Sequence, residues 1–504
     1  MKVLSTEQIR EADRLTIEKQ QISSVDLMER AALKVFEWMQ HHFKESTQKI
    51  HIFCGVGNNG GDGLALARHL NVHGYTVAVY VVNFSENRSN DFMINLNRLK
   101  AEKLWPDFLN ETHYDVKLSS NDIIIDAIFG IGLSRPPAGW VGSLIEKINQ
   151  SKAFILSIDM PSGLFMNNVP KFFNRIIRAD HVLTFQCPKL PFFLPQTGCY
   201  VKQWEVLDIE LDATHLTHLK VDYVLTDIHK IHSLYRMRSQ FSHKGTYGHA
   251  LIIGGSYGKI GAVSLAAKAC LHVGAGLVSC YIPKCGYLPI QTNLYEVMVL
   301  TDSNDDHLSD IIIPFKPKVI GIGIGMGVHT ETKNAFERFL TKNTAPLVID
   351  ADALNLLSQH VELLKKLPKH SVLTPHPKEL ERLIGSWKDD FEKLAMAKQF
   401  SSDYQCILVI KGAYTIILAN GVGFINPTGN PGMATGGSGD VLTGVITGLI
   451  AQGYQPVEAA IFGVYLHGLS GDIAASKNGY EAVTASKLID NLSSSFIKLF
   501  GKVQ

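Results

Sequence analysis

Apolar positions recur at helical spacing through the start of the chain. Leu4–Phe43 reads as helix, with Ser5 able to cap, apolar spacing over Ser24–Met39 and few breakers. The period then changes. Ile50–Cys54 is a short continuous apolar run that enters GVGNNGGDG, Gly55–Gly63, and helical spacing resumes at Leu64–Leu70. Strand, glycine loop and helix in that order open a βαβ unit. Further apolar runs at Thr76–Val82, Asp122–Phe129, Phe154–Ile158, Ala179–Phe185 and Trp204–Ile209 predict the rest of one sheet. Glu210–Lys230 then loses glycine and gains His and Asp, which makes it the best boundary. Beyond it the alternation resumes, with strands predicted at His249–Ile253, Lys318–Ile320, Leu347–Ile349, Ser371–Thr374 and Cys406–Ile410. Glycine loops follow at Gly254–Ala262 and Gly321–Gly327, and helices at Val263–Val273, Val441–Ile450, Pro456–Ser476 and Ser486–Phe500. The pattern predicts two α/β domains, 1–215 and 216–504, each with ligands at strand C-termini.

Composition narrows the class. A chain of 504 residues is too long for one core. Apolar content of 46% and charged content of 19% describe a globular protein in water. A net charge of +1 supplies no bulk field for nucleic acid or anionic membrane, so neither is an expected partner. Seven cysteines form no CxxC pair, which fits reduced thiols better than a disulfide frame or a zinc site. The start, MKVLSTEQIREADR, is too polar for a signal peptide, and the apolar runs are too short or too broken to span a bilayer. A cytoplasmic location is expected.

The strongest chemical signal is NPGMATGGSGDVLTG, Asn430–Gly444. Its glycines let backbone approach a ligand, and the helix beginning near Gly439 or Asp440 aims unpaired N–H groups at the same place. That is an anion site suited to phosphate, with Asp440 placed to take a proton from a hydroxyl beside a transferable phosphoryl group. The plain alternative is an N-cap aspartate.

In the first half, Gly55, Gly57 and Gly60 satisfy the dinucleotide fingerprint, but the next strand ends in Asn83 where that fingerprint wants an acid. The loop carries Asn58, Asn59 and Asp62 instead, a set suited to a polar ligand or a hard cation, or simply to a turn. Asp126 lies inside an apolar strand, where either a cation or a structural hydrogen bond must satisfy it. Arg135, in the glycine-rich segment Gly130–Gly139, suits a phosphate or solvent. DMPSG places Asp159 and Ser162 at another strand end, and DADALN does the same for Asp350 and Asp352. His376 sits stiffly between two prolines at a further strand end, its ring expected at the surface.

Taken in order, these motifs resemble one family. GVGNNGGDG, DAIFGIGLSRP and DMPSG look like the NAD(P)H-hydrate epimerase domain. HKGTYGHALIIGGS, DADALN, TPHPKE, KGAYT and NPGMATGGSGDVLTG look like the ADP-dependent NAD(P)H-hydrate dehydratase domain. The chain thus resembles the bifunctional NAD(P)H-hydrate repair enzymes over essentially its full length.

The resemblance implies a Rossmann-like α/β domain followed by a ribokinase-like α/β domain. It implies that Asn58, Asn59, Gly60, Gly61 and Asp62, with Gly130, Ile131, Gly132, Leu133, Ser134, Arg135 and Pro136, contact hydrated NADH or NADPH. Asn59, Asp126 and Ser162 would ligate potassium, and Asp159 would bind substrate and serve as acid/base. In the second domain Ala262, Gly325, His376 and Asp440 would line the hydrate site, with Asp440 catalytic. Lys411, Gly412, Ala413, Tyr414, Thr415 and Gly439 would hold ADP, which arrives with Mg2+. A homo-oligomer is expected. The chain departs from the family pattern at Ile324 and Met326, where proline and leucine are common, and at Tyr414, where glycine is common. The competing readings are a small-molecule kinase that releases its phosphoester, a non-catalytic dinucleotide-sensing module, and a Rossmann dehydrogenase that Asn83 weakens.

Overall fold

The structure, a computed structural model, describes residues 1–44, 47–137 and 139–501. The chain forms two compact units, one of Lys2–Asp222 with Asp389–Phe391, the other of Met1, Tyr223–Lys388 and Glu392–Gln504.

The first unit carries a parallel sheet. Its strands lie in the order Asp107–Leu109, Val77–Val82, Ile50–Cys54, Ile123–Ala127, Phe154–Ile158, His181–Phe185, Trp204–Leu207. The three strands at its centre are almost wholly buried, as a sheet covered on both faces requires. Chain order reverses between Ile50–Cys54 and Ile123–Ala127, so a crevice opens beyond their C-terminal ends. Two expectations need correction here. The first forty residues form two helices, Thr6–Gln20 and Ser24–His42, because each has its own capping box, at Ser5/Gln8 and Ser23/Asp26. Gln21 takes the left-handed conformation between them (φ 54°). The NNGGD stretch is not loop but the first turn of the helix Asn58–Val72. Glycine permits that early start: a Cβ on Gly60 would fall 1.8 Å from the carbonyl oxygen of Gly55.

In the second unit the strands run Tyr223–Leu225, Val422–Ile425, Ile416–Ala419, Ile407–Ile410, Val372–Leu373, Leu347–Ile349, Val319–Ile322, His249–Ile253, Leu277–Ile282, Val297–Thr301. Pairing is parallel except on either side of Ile416–Ala419. Gly321 and Ile322, expected in a loop, belong to the strand Val319–Ile322. Here the order reverses between Val319–Ile322 and His249–Ile253, beside the loops at 254–259 and 323–327. The helix Ser438–Ala451 is apolar all round and buried from Val441 onward. It rests closely on Ile260–His272: a Cβ on Gly444 would stand 2.1 Å from the Ala266 carbonyl oxygen. Pro456–Asn478 and Ala485–Phe500 complete that layer. His467, in the helix Pro456–Asn478, is buried.

Candidate active sites

The crevice of the first unit is a cavity of about 890 Å³. Asn58, Asn59 and Asp62 reach it from the helix start, residues 130–136 from the loop after Ile123–Ala127, and Asp159 from the end of Phe154–Ile158. Gly60 and Gly61 do not line it; they face Gly55 and Met28, where a Cβ would collide.

Asp159 is held in an uncommon backbone state, with φ 65°. Its Oδ1 lies 2.8 Å from Nζ of Lys189, which is only 1% exposed. The same oxygen accepts from the backbone N of Phe185 at 3.3 Å and from the Thr184 hydroxyl at 3.4 Å. Lys189 also donates to the carbonyls of Phe185 (2.9 Å) and Cys187 (3.0 Å). Burial alone would lower the ammonium's pKa, but Asp159 beside it raises it overall. Two more acids share the field. Burial, with the Asp159 charge next, pushes Asp13 up to about 6, and the same two causes lift Asp62 well above its ordinary range. Carboxyls raised by burial beside the Asp159–Lys189 contact are groups able to exchange protons with a ligand in the crevice. Asp13 and Lys189 escaped the sequence reading. Asp13 lies in a helix that reads as packing, and Lys189 precedes the bulky Phe192 and Phe193, both of which are buried.

Asp126 is buried beneath that crevice. Its carboxylate accepts from the Ser157 hydroxyl (2.7 Å), the Ser162 hydroxyl (2.5 Å), the Ser162 backbone N (2.8 Å) and the Ile128 backbone N (3.3 Å). Protein donors therefore satisfy it. Asn59 differs: its amide oxygen and nitrogen are both buried with no hydrogen-bond partner.

In the second unit the helix Ser438–Ala451 starts after Gly437, whose φ of 87° suits glycine. No side chain caps it; Ser438 N donates to the Thr435 carbonyl at 3.4 Å, and the N–H groups that follow in the first turn can face an anion. Asp440 stands in that first turn. Burial, reinforced by Asp350, pushes its carboxyl up to about 6, with Lys411 opposing. Lys411 Nζ donates to Asp350 Oδ1 at 2.9 Å and lies 3.9 Å from Glu379. Thr443 donates to the other oxygen of Asp350 at 2.8 Å. A Cβ on Gly439 would stand 3.3 Å from Lys411 Nζ and 3.5 Å from Asp350, so Gly439 borders this pair. His467 beneath Ser438 is pushed down to about 4 by burial and stays neutral.

Residues 411–415 form the turn between Ile407–Ile410 and Ile416–Ala419, closed by the Thr415 hydroxyl donating to Gly412 at 3.2 Å. His376 is half-exposed and caps the helix Pro377–Ile384, its Nδ1 accepting from the backbone N of Lys378 (3.1 Å) and Glu379 (3.3 Å). Gly325 and Ala262 face each other across 3.4 Å, measured from the Cβ that Gly325 lacks. Ile324 and Met326 are wholly buried, so the departures from the family pattern there are matters of packing. Asp350 was visible in sequence as a strand-end acid and Glu379 was not; only the fold brings the two to Lys411.

A family model described as NAD(P)H-hydrate dehydratase matches residues 250–494, and one described as YjeF-related protein N-terminus matches residues 24–190. The bifunctional NAD(P)H-hydrate repair enzyme Nnr of Moorella thermoacetica is 37% identical over 511 residues, covering 98% of this chain and 96% of that protein. The Escherichia coli protein of the same name is 31% identical, with 96% and 92% covered. Among solved structures, an ADP/ATP-dependent NAD(P)H-hydrate dehydratase from Bacillus subtilis, co-crystallized with ATP/Mg2+, is 28% identical with a TM-score of 0.49, covering 55% of this chain and 98% of that one. A ribokinase-like superfamily protein from Enterococcus faecalis has the same identity, 28%, and the same TM-score, 0.49, covering 56% of this chain and 98% of that one.

Proposed function

The chain belongs to the bifunctional NAD(P)H-hydrate repair enzymes, and from that membership we propose how its residues divide the work. The first unit epimerises the R and S hydrates of NADH and NADPH; the second returns the S form to the reduced cofactor, using ADP and giving AMP and phosphate.

The observation that carries the second activity is Asp440, a carboxyl near neutrality at an uncapped helix start beside Lys411. Water is a poor leaving group from the hydrated ring. Asp440 takes the hydroxyl proton as the oxygen attacks the terminal phosphorus of ADP, and AMP departs. The helix N–H groups and Lys411 balance the developing phosphate charge. Mg2+ enters bound to ADP. Elimination of phosphate then restores the dihydropyridine. The Gly325–Ala262 face and His376 would hold the hydrate, and Lys411–Thr415 with Gly439 the nucleotide. Hydrated NADH incubated with ADP and Mg2+ should regain reduced-nicotinamide absorbance while inorganic phosphate appears. A stable phosphoester without that absorbance would make the second unit a simple kinase.

In the first unit the Asp159–Lys189 pair supports acid/base exchange at the carbinol carbon, within reach of the loop 130–136. Potassium would be held by Asn59, Asp126 and Ser162. The unpartnered Asn59 amide oxygen favours a cation there, since oxygen donors suit a hard ion. Its charge, when bound, offsets that of Asp126. Epimer exchange is expected to run faster in potassium than in sodium at equal ionic strength, and Asn59→Ala should remove the difference. Equal rates in the two salts for the unaltered chain would discard the ion site.

A homo-oligomer remains our expectation. No helix among the described residues is long and apolar enough to cross a membrane, and we place the enzyme in the cytoplasm.

A further inference from the structure

We infer that His307, His329 and Glu331, none of them among the residues of the candidate active sites, form a site for a transition-metal dication of the zinc class, independent of the functional reading above. Among the described residues, these are the one group of three whose ligand atoms all lie within 4.8 Å of one another. His307 Nε2 already lies 2.9 Å from Glu331 Oε2, and the two imidazole rings are 4.3 Å apart. A tetrahedral zinc with bonds of about 2.0–2.2 Å needs donors roughly 3.4 Å from one another, so small side-chain rotations complete the set. Two imidazoles and one carboxylate select zinc, cobalt or nickel over magnesium or calcium, which prefer all-oxygen shells. Three protein ligands leave a position for water.

Both halves of the site are built before any ion arrives. His307 sits in a segment pinned by Asp302, which is 2% exposed. Asp302 accepts from the backbone N of Asn304 (2.9 Å), Ser309 (2.7 Å) and Asp310 (2.9 Å) and from the Ser309 hydroxyl (2.7 Å). The amide oxygen of Asn304 then accepts from the backbone N of Asp306 (2.9 Å) and His307 (3.3 Å). Leu308, wholly buried, anchors the next position. On the other side, His329 is the N-cap of the helix Thr330–Lys342, and Glu331 lies in its first turn. The bond that His329 Nδ1 accepts from the backbone N of Glu331 is long, at 3.4 Å, so the ring gives it up at little cost. The plain alternative is a surface His–Glu pair beside a capping His329; the 4.3 Å approach of the two rings, which neither role requires, is what favours the ion.

The place gives the ion a consequence. His329 follows the glycine turn at 323–327 by two residues, and the 302–310 segment touches the first glycine loop through Tyr257 N and the Asp306 carbonyl at 2.7 Å. An ion bridging the two sides therefore staples the loops that flank the strand-order reversal of this unit.

The test uses the tag-free full-length chain, stripped with chelator and titrated with Zn2+ against a chromogenic competitor. We expect one tight zinc per chain, a rise in the melting temperature on loading, and tetrahedral d–d absorption when Co2+ replaces it. His307→Ala and His329→Ala are each expected to weaken binding at least about tenfold. Glu331→Gln, which preserves shape, should do the same, and the melting temperature of each metal-free variant checks its fold. The site is refuted by the absence of stoichiometric zinc binding. It is equally refuted by binding that survives all three substitutions, which would place the ion on cysteines elsewhere.

Discussion

Asp440→Asn is expected to lower recovery of the reduced cofactor by about 10²- to 10⁴-fold, the usual contribution of a positioned general base. Epimer exchange, which resides in the other unit, should be unchanged. The same substitution should also make the protein harder to unfold. Burial and the neighbouring Asp350 raise this carboxyl from 3.8 to about 6, so at neutral pH the folded chain holds a charge that the unfolded chain carries more easily. The penalty is absent below the unfolded value, grows as pH rises from 3.8 to about 6, and is complete above that. Its upper bound is about 3 kcal/mol. Asparagine has the same shape without the charge. Urea unfolding should therefore show a variant more stable than the parent at pH 7.5, with the gap closing near pH 4. In the parent, kcat/KM for dehydration should fall as pH drops through about 6, because the base is then protonated. A variant as active as the parent would remove Asp440 from the chemistry, and a variant less stable at pH 7.5 would remove the buried charge.

The residues that announced themselves in sequence did so through glycine. A strand followed by a glycine loop and a small-residue helix is a local pattern, so the α/β class and the crevices at strand ends were readable, as was a helix start near Gly439 or Asp440, one or two residues after the observed Ser438. The same signal misled at finer grain. Asn58–Gly63 reads as loop because glycine disfavours helix, yet the close approach to Gly55 demands glycine within that helix. Gly60 and Gly61, expected at the ligand, face Gly55 and Met28. The partners of the acids in the two candidate sites were not legible. Lys189 is thirty residues from Asp159, Asp13 is farther still, and Lys411 lies sixty-one residues from Asp350. Nothing local in Lys189 marks it as buried; only the strand order His181–Phe185 beside Phe154–Ile158 brings it under Asp159. Electrostatic pairing between strand ends is a property of sheet topology, which a period-counting reading does not contain.

Asp159→Asn is expected to produce the second large effect, loss of epimer exchange together with a substantial loss of stability. Asparagine is chosen because Asp159 sits at φ 65°, a conformation that Asn tolerates and most residues do not. Backbone strain is thereby kept out of the result. What remains is a Lys189 ammonium, 1% exposed, without the carboxylate 2.8 Å away. Removing one member of a buried pair costs about 3–5 kcal/mol. Part of that cost is offset, because the Asp159 charge is one of the causes that raise Asp13 to about 6 and lift Asp62. With its charge gone both acids ionise more readily, and Asp13, which already interacts with Lys189, takes over some of the pairing, so the low end of the range is expected. Lys189→Met in the same chain should return most of the stability, since no unpaired ammonium is then buried, but should not restore exchange. Urea unfolding of the first unit measures the one effect. The other is read by giving a mixture of hydrate epimers to the chain with ADP and Mg2+: the absorbance should rise quickly by the S fraction alone, then only as fast as the epimers interconvert unaided. Rapid recovery of the whole mixture by Asp159→Asn would leave the pair as an element of packing and send the search for the acid/base to Asp13 and Asp62.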